Sequence, residues 1–375
     1  MYVEALELSR YRNYEKLSIE LTPNLNIFVG NNAQGKTNLM ESVYLLATGR
    51  SHRTFRDGEL INWDREKAQV KARIKSSMGR FTMRVILSRN NRKRFWIGGE
   101  ELNRQSDLMG YVNVILFSPD DLQLVKGSPS LRRHFIDLCL AQVSRVYRHD
   151  LVNYTKVLQQ RNNLLKELLG QKPQSELLSV WNEQLIELGS RVMYRRAVAI
   201  EIMARFASVS HSQISGGDEV LTMRYQPFYN TGLHNKSISM EEIAQEFNEA
   251  LEKNKKQELR RGTTVVGPQR DDILFEIGGK NARQFASQGQ QRTIVLATKL
   301  AELEFMQEEV GEYPILLLDD VLSELDLSRR TAFLETIGNK VQTLLTTTDR
   351  GHFSPGDCLD IREYTIHDGQ LTLGE

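Results

Sequence analysis

One octet constrains this chain more than any other: Gly30-Asn-Asn-Ala-Gln-Gly35-Lys36-Thr37. Glycine, four residues, then glycine-lysine-threonine is the P-loop spacing, and it carries meaning only between a strand and a helix. Both flanks are present. "LNIFVG" reads as a strand before it, and Leu39, Met40, Val43, Tyr44 and Leu46 follow at helical spacing. The glycines let backbone N–H groups converge on phosphate oxygens, and the helix N-terminus adds partial positive charge. On this reading Gly30, Asn31, Asn32, Ala33, Gln34, Gly35, Lys36, Thr37 and Asn38 cradle the phosphates of a nucleotide. Lys36 reaches the terminal phosphates, and the Thr37 hydroxyl is a ligand for Mg²⁺.

The second constraint is "YPILLLDDVLSELD", which begins at Tyr313. An apolar run without alternation is expected of a parallel strand buried on both faces. Asp319 and Asp320 then stand at its C-terminal end, where α/β sheets bind ligands. Asp319 can hold Mg²⁺ through its water shell, and Asp320 can orient or deprotonate an attacking water. The two motifs together predict an α/β protein that handles a Mg²⁺–nucleotide. About 280 residues separate them, more than small P-loop kinases and GTPases place there.

The intervening chain changes texture. Val3, Leu6 and Leu8, then Leu17, Ile19 and Leu21, predict strands, and residues 81–97 predict a hairpin turning at Asn90-Asn91. From Phe135 to Leu168 the apolar spacing is helical, "GQKPQS" at 170–175 interrupts it, and it resumes from Leu178 to Met203. This predicts an antiparallel helical arm, some 30 residues and so about 45 Å long. "VLTMRYQPF" reads as a strand, Ser239 with Glu242 as a capping box, "TTVVGP" again as strand, and "YTIHDGQLTL" as a hairpin. The expected organisation is a strand-rich domain of residues 1–129 and 262–375, interrupted by a mainly helical arm at 130–261.

The 375 residues carry a net charge of only +1, but its distribution is uneven. Lys and Arg outnumber Asp and Glu by nine between Arg50 and Arg104, whereas Glu302–Asp326 is acidic. Such asymmetry suggests an anionic ligand for one face. Two cysteines, Cys139 and Cys358, make no disulfide framework or metal site. No apolar run approaches the roughly 20 residues that span a bilayer, and the N-terminus lacks the apolar core of a signal peptide. A soluble cytoplasmic protein is expected.

"FASQGQQRTIVLATKLAELEF" opens a helix on polar, flexible residues. Ser287 as an ordinary helix cap is one reading. The other is an anion site: a serine hydroxyl, a glycine permitting close approach, and a helix N-terminus. The order of P-loop, insertion, Ser287-Gln288-Gly289-Gln290, acidic strand and "SELD" (Ser323–Asp326) resembles the ATP-binding-cassette (ABC) ATPase heads. In those, the serine-glycine signature of one subunit closes on the γ-phosphate held by another. Within that superfamily the chain resembles the RecF family. The strings that carry the likeness are "YRNY", "GNNAQGKTNLMESVYLLATGRSHR", "FSPDDLQLVKGSPSLRRHFID", "VGPQRDDI", "SQGQQR" and "LLLDDVLSELD", nearly the whole length.

The resemblance implies an ATP-dependent homodimer with weak, DNA-stimulated ATPase activity, acting on double-stranded and gapped DNA. It implies partnership with RecR and RecO in loading RecA, ATP and Mg²⁺ as cofactors, and a place at the nucleoid. It gives Ser287, Gln288, Gly289 and Gln290 the role of trans signature, Ser323 and Asp326 that of D-loop, and Arg12 a contact with the base or ribose. Gln123 becomes the Q-loop candidate, and Thr348 or Asp349 the switch. Gln269 stands where the family has histidine, and Asp320 where transporters have glutamate. A transporter ATPase or SMC-like structural subunit is the alternative. For DNA the candidates are Arg50, Arg53 and Arg56 after the P-loop helix, and Arg89, Arg92, Lys93 and Arg94 at the hairpin tip. A solubilising turn is the other reading of that tip, and an ion-pair site the other reading of Arg132-Arg133.

Overall fold

Leu25–Val29, Ile315–Asp319 and Thr343–Thr347 are buried at every position, as a sheet covered on both faces demands. The computed structural model, which describes residues 1–169, 175–217, 219–229, 239–322, 325–348 and 361–374, places all three in one six-stranded sheet. Its order runs Gln370–Leu373, Ile361–His367, Leu25–Val29, Thr343–Thr347, Ile315–Asp319, Val114–Phe117. All neighbours are parallel except the terminal hairpin, which turns at Asp368-Gly369 as the sequence predicts.

A second sheet is antiparallel. Tyr14–Glu20, Tyr2–Tyr11, Lys67–Ser76, Gly79–Ser88, Arg94–Ile97 and Glu100–Glu101 follow one another across it. Its strands alternate buried and open positions, the pattern of a one-sided sheet. Helix Lys36–Thr48 packs against strands of both sheets, which explains why its polar residues Glu41, Ser42 and Thr48 are buried with its apolar ones. Gln342 joins the layers. Its Oε1 accepts from Val3 N at 2.7 Å, and its Nε2 donates to the carbonyls of Val3 and Thr22 at 2.8 Å each.

The contacts divide the chain into Met1–Asp121, Gln213–Gly216 and Glu302–Glu375 as one unit, and Leu122–Ser212 with Gly217–Ala301 as the other. This differs from the sequence-based boundaries at 129/130 and 261/262. The reason lies in strand Asp272–Ile277. It pairs with Leu221–Gln226 and Lys280–Asn281 in a three-stranded sheet of the inserted unit, so residues 262–301 pack with the insertion.

The inserted unit contains the expected antiparallel helices. Arg161 Nε donates to Asn182 Oδ1 at 2.8 Å, Arg191 faces Asp150, and Leu165, Leu168 and Leu178 cluster. The pairs descend one helix as they climb the other. Two predictions need correction. The helix expected over 135–168 is two, Pro129–Val143 and Arg145–Glu167, because Ser144 is extended and its hydroxyl accepts from Tyr147 N. "TTVVGP" is not a strand: Thr264 N bonds the Asn162 side chain, Val265 N bonds Glu258, and Gly267 is left-handed (φ 116°) before Pro268. Ser239 and Glu242 do form the capping box.

A buried polar network holds "VGPQRDDI" to these helices. Arg196 forms a two-point ion pair with Asp137 at 2.8 and 2.9 Å and donates to the Pro268 carbonyl at 2.7 Å. Asp271 accepts from the Tyr225 hydroxyl and from Phe228 N. Burial pushes its carboxyl up to about 6, against the opposing pull of Arg196, Tyr225 and Phe228. A folded state that holds a proton more tightly than the unfolded chain loses that stability as pH rises through about 6. Urea unfolding of the inserted unit should therefore show stability falling by on the order of 1–2 kcal/mol between about pH 5 and pH 7. Asp271→Asn should flatten that slope.

Candidate nucleotide site

The P-loop is shaped by backbone handedness. Gly35, which opens helix Lys36–Thr48, has φ 115°, and Ala33 has φ 66°. Left-handed residues in such a loop turn successive N–H groups inward, making a concavity for an anion. A Cβ on Gly35 would lie 2.6 Å from Asn13 Nδ2, and one on Gly30 would lie 2.5 Å from the Ile366 carbonyl oxygen. Neither position tolerates a side chain without rearrangement. Lys36 Nζ donates to the carbonyls of Gly30 (2.6 Å) and Asn31 (2.9 Å), inside the curl of the loop. Burial lowers its pKa, while Asp320 and Asp319 pull it upward.

The two motifs meet. Thr37 Oγ1 donates to Asp319 Oδ1 at 3.0 Å. Strand Thr343–Thr347 lies between the P-loop strand and the acidic strand, and its Thr346 hydroxyl donates to the same Oδ1 at 2.8 Å. Thr346 Oγ1 also accepts from Asp320 N at 3.0 Å, fixing the left-handed backbone (φ 55°) that carries the second carboxylate. A hydroxyl and a carboxylate this close are hard oxygen donors suited to Mg²⁺. With Lys36 and the inward N–H groups beside them, the residues present fit a metal–triphosphate.

A support for this cradle was not visible in the motif itself. Tyr14 hydroxyl donates to the Gly35 carbonyl at 3.0 Å, and Asn13 Nδ2 to the Gln34 carbonyl at 2.9 Å. Asn38 Nδ2 donates to Asn13 Oδ1 at 2.8 Å, and Gly369 N to the Gln34 carbonyl at 3.2 Å. Arg12 grips Glu41 through Nε (2.8 Å) and Nη2 (2.7 Å), and its Nη1 donates to the Glu59 carbonyl at 2.9 Å. Its guanidinium is thus held inside the protein, with two N–H groups left for any ligand. Glu41 is fully buried and also accepts from the Ser51 hydroxyl. Burial alone would push its carboxyl up; the bonds from Arg12 and Ser51 outweigh that and hold it below its usual range. His52 packs edge-on against Tyr44, and burial lowers its pKa.

At the other motif, Ser287 and Gln290 form a reciprocal cap. Ser287 N donates to Gln290 Oε1 at 2.7 Å, and Gln290 N to Ser287 Oγ at 3.3 Å. Gln290 Nε2 donates to Glu219 at 2.6 Å, while Ser287 and Gln288 remain exposed. The capping reading therefore describes this chain's own geometry, and it leaves the hydroxyl accessible. Asp326 is the N-cap of helix Leu327–Ile337; Ser323 and Asp349 lie outside the described residues. Gln123 is exposed at the start of helix Gln123–Lys126, and Thr348 is exposed just past its strand. Gln269 accepts from the Tyr154 hydroxyl and donates to the Val266 carbonyl, a structural role. Arg132 is a buried ion pair with Asp272 at 2.6 and 2.9 Å, and Arg133 donates to the Asp271 carbonyl.

The basic candidates, far apart in sequence, come together. Lys93 Nζ bonds Asp57 at 2.8 Å, and Arg89 donates to the carbonyls of Asn62, Trp63 and Arg65. Arg53 Nη1 donates to Asn38 Oδ1 at 2.9 Å, and Arg94 lies over Trp96. Arg50, Arg56 and Arg92 extend into solvent.

Comparison with known proteins fits this geometry. The family model described as "RecF/RecN/SMC N terminal domain" matches residues 2–364. "DNA replication and repair protein RecF" of Halalkalibacterium halodurans is 43% identical over 371 residues, covering 99% of each chain. The chain belongs to the RecF family. A solved relative described as "Structure of the recombination mediator protein RecF-ATP in RecFOR pathway" has a TM-score of 0.91 at 31% identity, covering 100% of this chain and 98% of that one. The Smc head domain from Pyrococcus furiosus, at 19% identity and TM-score 0.58, covers 100% of this chain and 96% of its own, and shares the fold. The fold of this RecF-family chain is thus that of an ABC-type ATPase head, and the transporter and SMC-like alternatives are not favoured.

Removing Arg12 would leave Glu41 buried without its cation. Arg12→Ala should destabilise the protein by about 3 kcal/mol, read as a lowered denaturant midpoint. Adding Glu41→Gln should recover much of that loss, since no charge then remains unpaired.

Proposed function

We propose that this chain is an ATP-dependent DNA-binding protein of recombinational repair and replication, whose DNA-engaged form is a head-to-tail homodimer. The observation that carries the reading is the Thr37–Asp319 contact beside Lys36, together with an accessible Ser287 at the head of its own helix. Family membership and the ATP-bound relative support ATP as the substrate.

Lys36 exchanges its loop carbonyls for β- and γ-phosphate oxygens, and the P-loop N–H groups hold the remainder. Thr37 and Asp319 would hold Mg²⁺, which would supply charge neutralisation on the phosphates. Asp320 orients the attacking water and accepts its proton. Its side chain is one methylene shorter than glutamate, which supports slow turnover. Ser287 of a second copy donates to the γ-phosphate, with Gln288, Gly289 and Gln290 shaping that approach, so ATP binding favours the dimer and hydrolysis releases it.

DNA lies on the basic surface. Arg50, Arg56 and Arg92 contact phosphates, and Arg53, Arg89, Lys93 and Arg94 frame them. Such contacts are independent of sequence, with log–log salt slopes of about −0.9 per phosphate neutralised. The relative's place in a RecFOR pathway supports RecO and RecR as partners. On this reading the protein acts in the cytoplasm at the nucleoid, where double-stranded or gapped DNA stimulates a weak ATPase.

The test is solution mass with no nucleotide, ADP or a non-hydrolysable analogue, each with and without duplex DNA. Dimers should form only with the analogue. Ser287→Arg should bind ATP yet stay monomeric, Lys36→Arg should bind but barely hydrolyse, and Asp320→Asn should dimerise and lose turnover by about 100-fold or more. Normal analogue-driven dimers of Ser287→Arg would sink the closure.

A further inference from the structure

Phe55 and Trp63 are essentially fully exposed, at 103% and 92%, whereas the next large hydrophobics among the described residues, Val220 and Phe285, reach 67%. Single exposed apolar side chains need no explanation. Two whole aromatic rings within nine residues, on a backbone held still, do.

The holding is extensive. Ser51 Oγ accepts from Arg53 N (2.9 Å) and Thr54 N (3.1 Å), and Thr54 Oγ1 accepts from Arg56 N (3.1 Å) and donates to Glu59 Oε2 (2.7 Å). Beyond Phe55, Leu60 accepts from Arg12 N and Asn62 donates to the Arg10 carbonyl, both at 2.9 Å. Arg89 closes the turn from the far side, reaching the carbonyls of Asn62 (3.3 Å), Trp63 (3.1 Å) and Arg65 (2.9 Å). The rings are therefore presented by a pinned loop.

Their surroundings select the occupant. Segments 50–65 and 89–94, joined by Lys93–Asp57, hold eight Lys or Arg against three carboxylates. A second copy presenting the same face would meet like charge. A polyanion with its own flat apolar faces matches both features, and single-stranded nucleic acid is such a ligand: aromatic rings stack on bases while cations track the backbone. Paired bases inside a duplex offer no free face.

We propose that Phe55 and Trp63 are stacking platforms for unpaired nucleobases, and so are the residues by which this basic surface engages the single-stranded part of gapped DNA. The inference rests on the DNA-binding reading above and adds the residues that meet the unpaired bases.

The test titrates gapped DNA carrying 2-aminopurine in the gap, and the corresponding full duplex, with full-length protein and a non-hydrolysable ATP analogue. Phe55→Ala/Trp63→Ala should weaken gapped DNA by about five- to a hundredfold, abolish the 2-aminopurine quench, and leave duplex affinity and thermal unfolding unchanged. Phe55→Tyr should bind as wild type and Phe55→Leu should not. Unchanged gapped affinity in the alanine pair, or equal loss on both DNAs, overturns the proposal. Loss of analogue-driven dimers in that pair also overturns it, by assigning the rings to a second copy. Arg56→Glu/Arg92→Glu separates the two readings. If it leaves both DNAs bound, the DNA surface itself is misplaced and stacking falls with it. If it abolishes both while the alanine pair keeps gapped affinity, stacking alone falls.

Discussion

The structure turns on a carboxylate buried where no water can solvate it. Glu41 sits mid-helix between two sheets, and such a charge is stable only when hydrogen bonds replace its hydration. Arg12 and Ser51 do so, and each brings a segment with it. Arg12 sets the hairpin turn whose Asn13 and Tyr14 brace the P-loop carbonyls; Ser51 caps the loop that carries Phe55. A buried ion pair adds little net stability over apolar packing of equal volume. Its contribution here is direction: one guanidinium plane fixes the phosphate cradle and the neighbouring basic surface from the same point.

What could be read in advance was chemistry with a fixed spacing. Phosphate cradling demands glycines and a lysine at set intervals, so Gly30, Gly35 and Lys36 were legible, and a doubly buried strand announces itself by unbroken apolarity before Asp319. Caps are local too, which is why Ser239 with Glu242 was legible while Ser144, a lone serine in a helical pattern with Tyr147 where a capping box has Glu or Gln, carries no such signal. Thr346, Glu41 and Gln342 were not legible, since each acts on partners distant in sequence and a polar residue in a strand or helix carries no signal of what it will face. "TTVVGP" failed for the same reason: its β-branched residues favour a strand, but Asn162 and Glu258 take the backbone N–H groups that a ladder would use.

The residues with assigned chemistry are divided between two separately packed units. Lys36, Thr37, Asp319 and Asp320 belong to one; Ser287 through Gln290 belong to the other, which has its own buried polar networks around Arg161 and Arg196. Arg161 alone joins Asn182, Glu258 and Thr264, tying three helices and the chain that returns from them. Each unit thus specifies its geometry internally.

The placement of Leu25–Val29 between Thr343–Thr347 and Ile361–His367 bears on how the protein is made. The P-loop strand leaves the ribosome early but meets its first parallel neighbour about 320 residues later, roughly 15–65 s at usual synthesis rates. Gln342, which satisfies the Val3 and Thr22 backbones, arrives at the same late moment. Through that interval the P-loop strand lacks both of its sheet neighbours, whereas the inserted unit, which ends at Ala301, is complete in sequence before either of them is made. Translation therefore completes the insertion first, and the nucleotide-binding half only once strands Thr343–Thr347 and Ile361–His367 have been made.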